Sequence, residues 1–242
     1  KESALKCIKK ASEANADCVI LCDTNGGCLP DEILSIVKEV KHFFKENKIK
    51  ADLGIHCHND SDCAVSNTLI VANEINQIQG TINGIGERTG NANLCSILPA
   101  LMLKMNINTN IDLKKLKEVS DKLSILANIK PQNNLPYVGE NAFAHKAGIH
   151  VDALNKGVFY EHINPEIVGN KRYVVLSDLS GSANIVEVAK KFGYKADKKN
   201  PEVKKMLEEV KNLEKKGYNI GNLDAEQFLL IEKYFGNYKD IF

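Results

Sequence analysis

Two histidines separated by a single residue, His56 and His58, carry the clearest chemical signal in this sequence. Alternate residues of a β-strand point to the same side, so two imidazoles with this spacing can converge on one cation. Asn59 and Asp60 place oxygen groups directly beside them. The competing interpretation is a pair of ordinary hydrogen-bonded histidines close to a helix start, with Asp60 or Ser61 as the helix cap. Their expected place at the end of a strand favours the metal site.

A second polar cluster is the glycine-rich stretch 84–91, which contains Glu87, Arg88 and Asn91. Glycines allow unusual backbone angles and the close approach of a ligand. The third glycine is misplaced for a dinucleotide-binding fingerprint, so that class of site is not indicated. Two interpretations stay open: a binding site, or a strand-to-helix turn in which Glu87 and Arg88 form a local ion pair.

Two further clusters give weaker signals. Residues 23–27, Asp-Thr-Asn-Gly-Gly, are compatible with a simple turn capped by Asp23. His145 and His150 lie five residues apart, which would put them on different faces of a helix, so they need not serve one ion. A free catalytic imidazole and an ordinary polar loop both fit that spacing.

A site built from these imidazoles and oxygen groups would suit Mg²⁺, Mn²⁺ or Zn²⁺, and the donor types do not decide among the three. A metal with few protein ligands would have coordination positions free for a chelating substrate. A 2-oxo acid can bind through its keto oxygen and carboxylate, and the metal then polarises the ketone as a Lewis acid.

Apolar runs that fit buried strands precede the first three clusters, and amphipathic stretches that fit helices separate them. The expected strands cover residues 17–22, 51–56 and 78–82, and the expected helices cover residues 4–14, 30–44, 65–72 and 94–105. Short apolar strands with crossover helices indicate a parallel sheet. Ligands bind at the carboxyl ends of such strands in α/β barrels and open sheets alike, so the clusters should share one edge.

Beyond about residue 108 the alternation of strand and helix patterns stops, and helical patterns dominate. We therefore expect two regions: residues 1–108 with an α/β fold, and residues 109–242 with a mostly helical one. The formal net charge of +1 gives no electrostatic case for a nucleic acid or an anionic membrane as partner.

The seven cysteines are odd in number, form no C-x-x-C pair and follow no secretory segment. This pattern indicates reduced thiols in a cytoplasmic protein. Most of the cysteines should be small buried apolar residues.

Taken together, five stretches resemble the acyl-CoA Claisen-condensing enzymes of the DRE-TIM metallolyase superfamily, which contains isopropylmalate, homocitrate and citramalate synthases. The stretches are Leu21–Gly27, Gly54–Asp60, Gln79–Asn93, Phe143–His150, and Tyr160–Pro165 with Gly169 and Asn170. Residues 23–27 are similar to the citramalate synthase branch. The resemblance implies that residues 1–108 are the C-terminal part of a TIM (β/α)8 barrel, and that residues 109–242 are helical linker subdomains.

The resemblance also implies roles for individual residues. The metal would be held by His56, His58 and Asn91. Thr24 would contact the carboxylate of the oxo acid. From their charge and their place beside these residues, we expect Glu87 and Arg88 to order the substrate-binding site. The catalytic residues would be His150 and Tyr160, acting in the active site of a partner subunit.

The reaction implied for this branch condenses acetyl-CoA with pyruvate to give (R)-citramalate and CoA, in isoleucine biosynthesis. It implies a divalent metal (Mg, Mn or Zn), acetyl-CoA as co-substrate and a cytoplasmic homodimer. The alternatives are a 2-isopropylmalate synthase that uses 2-oxoisovalerate in leucine biosynthesis, a homocitrate synthase or a lyase. Outside enzymes of this type, the chain could be a non-catalytic oligomerisation module or a metal-binding domain without turnover.

One departure from the family pattern is the absence of its Asp-Thr-Thr-Leu-Arg-Asp-Gly-type motif, which supplies a metal-ligating aspartate and a substrate-binding arginine. The family's catalytic glutamate and its C-terminal regulatory domain are absent as well. We therefore expect the sequence to begin in the helix before the sixth barrel strand, and residues 1–242 alone to be inactive.

Overall fold

Three parallel strands organise the first part of the chain: β1 (Cys18–Asp23), β2 (Asp52–Cys57) and β3 (Gln77–Gln79), in the order β1-β2-β3. The computed structural model describes residues 2–145, 161–218, 220–221 and 224–236. Within it the chain divides into two compact units, Lys1–Val138 and Gly139–Phe242. The parallel register places His56 beside Cys22 of β1 and Gln79 of β3.

Helices cover the sheet in the expected alternation. They are α1 (Glu2–Glu13), α2 (Pro30–Glu46), α3 (Ala64–Ile70) and α4 (Leu94–Leu103). Pro30 occupies the first turn of α2, where its missing N–H costs nothing, and the Glu32 carboxylate accepts a hydrogen bond from the Leu29 N–H at 2.8 Å. Apolar side chains of the strands and helices form one core that includes Val37, Ile55 and Ile97.

The third strand differs from its expected span of residues 78–82. It ends at Gln79, and residues 82–84 form a short 3-10 turn. A Cβ at Gly80 would lie 2.4 Å from the Ala92 carbonyl oxygen, so the chain can return close to this point only because residue 80 is glycine. The returning segment pairs Asn93 with Thr81 and prevents β3 from continuing.

A further helix, α5 (Leu116–Leu126), also belongs to the first unit and follows a 3-10 turn at Leu113–Lys115. The boundary expected from the sequence between the barrel elements (residues 1–108) and the helical region (residues 109–242) stays a prediction.

Among its described residues, the second unit combines a short parallel pair, β4 (Ala144–His145) and β5 (Tyr173–Val174), with three α-helices. The helices are α6 (Ser182–Lys191), α7 (Pro201–Lys215) and α8 (Asp224–Phe235). Their apolar faces meet in a core that includes Ile185, Met206 and Ile231. In the described part of the chain, no helix is both long and apolar enough to cross a membrane.

The cysteines do not follow the expectation that most are buried. Cys57 and Cys95 are buried, whereas Cys7 and Cys22 are exposed. Cys22 is exposed because it occupies the same register position as His56, at the edge of the sheet that carries the polar clusters.

Candidate active site

The strand β2 delivers His56 and His58 to the same edge of the sheet. His56 is its penultimate residue, and His58 follows its last residue, Cys57, which is buried on the opposite face. The two imidazole centroids lie 5.1 Å apart with an interplanar angle of 75°. The i, i+2 spacing therefore brings both rings together, as the alternation of side chains along a strand predicts.

Each of the two imidazole rings has a buried nitrogen atom that is available to a ligand. The Nδ1 atoms of His56 and His58 are buried and have no hydrogen-bond partner among the described residues. Burial, followed by the proximity of His58, lowers the pKa of the His56 imidazole below its ordinary value. A neutral imidazole is the form that binds metals, so the environment of His56 favours the metal-binding state.

Asn91 adds an oxygen donor beside His58. The two residues form an isolated antiparallel bridge. The Asn91 Nδ2 donates to the Ile85 carbonyl at 3.3 Å, while its Oδ1 is buried without a partner in the described residues. A Cβ at Gly86 would lie 2.3 Å from that Nδ2, so glycine at position 86 leaves the room that the amide occupies.

The donor set fits a divalent cation. Two imidazoles and one amide oxygen, all with unpartnered buried atoms, supply the nitrogen and oxygen ligands that Mg²⁺, Mn²⁺ and Zn²⁺ accept. Among the described residues, no group of three or more His, Cys, Asp and Glu side chains could hold a metal by itself. The atoms that could hold a cation here are one nitrogen of each imidazole and the Asn91 amide oxygen.

Arg88 connects the ends of β1 and β2. Its Nε and Nη2 donate to the two carboxylate oxygens of Asp60 at 2.8 and 3.0 Å, and Nη2 also donates to the Thr24 carbonyl at 2.8 Å. The guanidinium holds the pKa of Asp60 below its usual value. Through these hydrogen bonds the Arg88 side chain joins the loops that contain Thr24 and Asp60 to its own loop.

The local ion pair considered for Glu87 and Arg88 is the weaker contact. The Glu87 carboxylate lies 3.6 Å from Arg88 Nη1 and its side chain is 85% exposed, whereas the Asp60 side chain is 25% exposed. The substrate-binding roles of Glu87, Arg88 and Thr24 stay predictions. Thr24, Asp60 and Arg88 line one cavity of about 770 Å³, and neither His56 nor His58 borders it.

Backbone hydrogen bonds tie the loops around the histidines to one another. The N–H of Asn59 donates to Gly90 O at 2.9 Å, and the N–H of Ala92 donates to Cys57 O at 2.9 Å. Ser61 donates to Gly26 O through both its N–H and its hydroxyl, at 3.0 and 2.7 Å. The N-cap residue of α3 is Cys63, not Asp60 or Ser61, and Asn59 Oδ1 accepts a hydrogen bond from the Ala64 N–H at 3.1 Å.

Gly26 is expected to tolerate no side chain. Its φ is 63°, and a Cβ would lie 2.4 Å from Asp60 Oδ2. The left-handed backbone alone costs an alanine about 1–2 kcal/mol, and displacement of Asp60 adds to it. Gly26→Ala should therefore lower the free energy of unfolding by more than about 2 kcal/mol in urea titration.

Gly193→Ala is the matched control for this measurement. Gly193 has a φ of 85°, and no described atom lies within 4 Å of the position of its Cβ. Gly193→Ala should lower the free energy of unfolding only by the cost of the left-handed backbone, about 1–2 kcal/mol. Equal losses for the two variants would contradict a role for close packing between Gly26 and Asp60.

The two predicted catalytic residues, His150 and Tyr160, lie outside the described residues. On either side of that segment, His145 Nε2 lies 2.9 Å from Glu161 Oε1, and Arg172 Nε donates to the same oxygen at 2.7 Å. Arg172, and to a lesser extent His145, hold the pKa of the Glu161 carboxyl below its ordinary value. The spacing indicated that His145 and His150 need not serve one ion, and His145 is hydrogen-bonded to Glu161.

Sequence reasoning missed the contacts of two residues. Asp60 was considered as an oxygen group beside the histidines or as a helix cap, and its observed partner is Arg88. Asn83 was not singled out, yet its side chain contacts α5. The sequence does not decide between Asp60 and Glu87 as the partner of Arg88, and it does not pair Asn83 with residues 37 and 41 positions away.

Comparison with known proteins gives matches along most of the chain. The HMGL-like family model matches residues 1–123, and the model described as homocitrate synthase post-HMGL domain-like matches residues 137–218. An (R)-citramalate synthase of Aquifex aeolicus is 50% identical over 100% of this chain and 46% of its own length. An (R)-citramalate synthase of Geobacter sulfurreducens is 47% identical over 99% of this chain and 45% of its own length.

A relative named for another activity is more distant. A 2-isopropylmalate synthase of Methanocaldococcus jannaschii is 37% identical over 90% of this chain and 42% of its own length. The chain thus spans less than half the length of each of these curated relatives.

Proposed function

We propose that this chain, which belongs to the HMGL-like family, forms part of a metal-dependent enzyme that condenses acetyl-CoA with pyruvate to (R)-citramalate and CoA. The observation that carries the proposal is the pair of imidazoles with centroids 5.1 Å apart and Asn91 bridged to His58, each residue with a buried side-chain atom that has no partner among the described residues. The identities of 50% and 47% to two (R)-citramalate synthases support pyruvate as the acceptor.

Family membership confirms the expected fold class. HMGL-like proteins are TIM barrels, and the three parallel strands with their helices are a part of such a barrel. The polar clusters lie at the carboxyl ends of the strands, where barrel enzymes place their active sites.

A divalent cation bound to these donors would act as a Lewis acid toward the ketone of the acceptor. His56 and His58 would hold it as neutral imidazoles, and Asn91 would offer its Oδ1 because its Nδ2 is engaged by Ile85. Arg88 would keep the three loops in register through Asp60 and Thr24. Thr24 and Glu87 would complete the binding site for the oxo acid.

We extend the proposal to the assembly and its setting on the sequence resemblance. The full-length protein would be a cytoplasmic homodimer of isoleucine biosynthesis, in which His150 and Tyr160 act in the active site of the partner subunit. Acetyl-CoA would be the co-substrate, and the metal would be Mg²⁺, Mn²⁺ or Zn²⁺. A 2-isopropylmalate synthase is the second candidate, supported by 37% identity to one such enzyme.

An acceptor comparison tests the proposal. The full-length protein would be incubated with Mn²⁺, acetyl-CoA and either pyruvate, 2-oxoisovalerate or 2-oxoglutarate, and the products followed by mass spectrometry. Mass detection is preferable to a thiol reagent because Cys7 and Cys22 are exposed and would react with it. We expect kcat/KM for pyruvate to exceed the other two values by more than about 100-fold, a discrimination that polar and steric pocket contacts can provide.

The other outcomes are equally informative. Preference for 2-oxoisovalerate would identify a 2-isopropylmalate synthase, and preference for 2-oxoglutarate would indicate a homocitrate synthase. Absence of a product with all three acceptors would favour the non-catalytic alternatives.

A further inference from the structure

Helix α5 packs with a polar face inward. Ser120 and Ser124 are buried together with Leu116, while Ile125 and Leu126 are 77% and 84% exposed. A helix on the surface of a domain usually buries its apolar stripe and exposes its polar residues. The buried serines of α5 therefore need partners that compensate for their loss of water.

The side chain of Asn83 forms hydrogen bonds with both serines. Its Nδ2 donates to Ser120 O at 3.0 Å and to Ser124 Oγ at 3.2 Å. Its Oδ1 accepts from Ser120 Oγ at 2.6 Å and from Cys95 Sγ at 3.4 Å. A primary amide offers two donors and two acceptor positions, so every hydrogen-bonding position of the Asn83 side chain is used.

Asn83 also stands at the root of the glycine-rich loop. Its backbone is left-handed, with φ of 60° and ψ of 11°. The next residue, Gly84, accepts a hydrogen bond from the Asn91 N–H at 2.9 Å through its carbonyl. The position of Gly84 thus determines where the backbone of Asn91 lies.

These contacts form a continuous path from α5 to the backbone N–H of Asn91, whose side-chain Oδ1 is the candidate ligand atom. The serines hold Asn83, Asn83 places Gly84, and Gly84 holds Asn91. We infer that Asn83 is a positioning residue, through which α5 sets the place of the Asn91 side chain next to His58. The inference rests on the proposed function for its consequence in metal binding, but its structural part can be measured independently.

Asn83→Gly is the decisive variant, since glycine accepts the left-handed backbone while removing the amide. Two properties of the full-length protein would be measured: amide hydrogen exchange of the loop 84–92, and the affinity for Mn²⁺ by titration calorimetry. We expect exchange in the loop to be at least about tenfold faster, and Mn²⁺ binding to be about tenfold weaker, as for other residues that orient a ligand.

Asn128→Gly is the matched control. Asn128 also has a left-handed backbone, with φ of 52°, and it lies exposed just beyond the end of α5. Its substitution should leave loop exchange and Mn²⁺ affinity unchanged. Equal effects of the two substitutions would overturn the inference, because they would reflect a general change of the backbone.

Ser124→Ala provides a milder test if Asn83→Gly fails to fold. It removes one of the four hydrogen bonds of Asn83 and should accelerate loop exchange about two- to fivefold. Unchanged exchange in a folded variant would overturn the positioning role. If instead the unsubstituted protein binds no Mn²⁺ while Asn83→Gly still accelerates exchange, the metal-dependent function fails and the positioning role stands.

Discussion

Replacement of His56 or His58 with alanine in the full-length protein should weaken Mn²⁺ binding by more than about 100-fold, the upper limit typical of residues that only support a ligand. Each substitution removes one of two imidazoles whose centroids lie 5.1 Å apart and whose buried Nδ1 atoms lack a described partner. Formation of (R)-citramalate should fall in proportion at a fixed metal concentration. Titration calorimetry with Mn²⁺ would give the affinities, and mass detection of the product would give the rates.

His42→Ala is the control for this experiment. His42 lies on α2 with its side chain 70% exposed, and it pairs with Glu46 at 3.1 Å. Its removal should leave Mn²⁺ affinity unchanged. Unaltered metal binding in both His56→Ala and His58→Ala would refute the assignment of the metal site.

Arg88→Lys should reduce kcat and Mn²⁺ affinity by about 10- to 100-fold, the range seen when residues that orient ligands are lost. A lysine keeps the positive charge, but its single ammonium cannot reach both Asp60 oxygens and the Thr24 carbonyl as the guanidinium does. Both residue types share the same backbone requirement at the φ of 57°, so the variant tests the planar group itself. Steady-state kinetics with varied Mn²⁺ would separate the two effects.

Glu87→Gln is the neighbouring comparison, since the Glu87 side chain is 85% exposed and lies 3.6 Å from Arg88. We expect its kinetic constants to change by less than those of Arg88→Lys, because Asp60 makes the shorter and less exposed contact with Arg88. A Glu87→Gln effect as large as that of Arg88→Lys would mean that the local ion pair, and not the contact with Asp60, orders the loop.

The order of strands and helices in the first unit could be predicted because apolar runs and helical spacing are local properties of the sequence. The end of β3 could not. Its early termination depends on Ala92 and Asn93 returning next to Gly80 and Thr81, a contact between segments more than ten positions apart. The local periodicity of a sequence does not show where a distant segment packs against the end of a strand.

The candidate site shows the same division. The convergence of His56 and His58 followed from strand geometry, because both lie on one strand end. The partner of Arg88 did not follow, because Asp60 and the adjacent Glu87 are both plausible acids and only the folded loops decide between them. The buried serines of α5 contradict the amphipathic pattern of a surface helix. Their hydrogen bonds with Asn83 explain why they can be buried.

The backbone bonds between the strand-end loops have a thermodynamic consequence for the cation. Asn59, Ser61 and Ala92 are each held by a carbonyl of another loop or strand end, so the chain around the imidazoles loses its conformational freedom when the protein folds. A cation bound at the proposed site would then require little further ordering of the chain, and most of the free energy of coordination would appear as affinity. The conformational entropy of these loops is lost when the protein folds, and not when a cation binds.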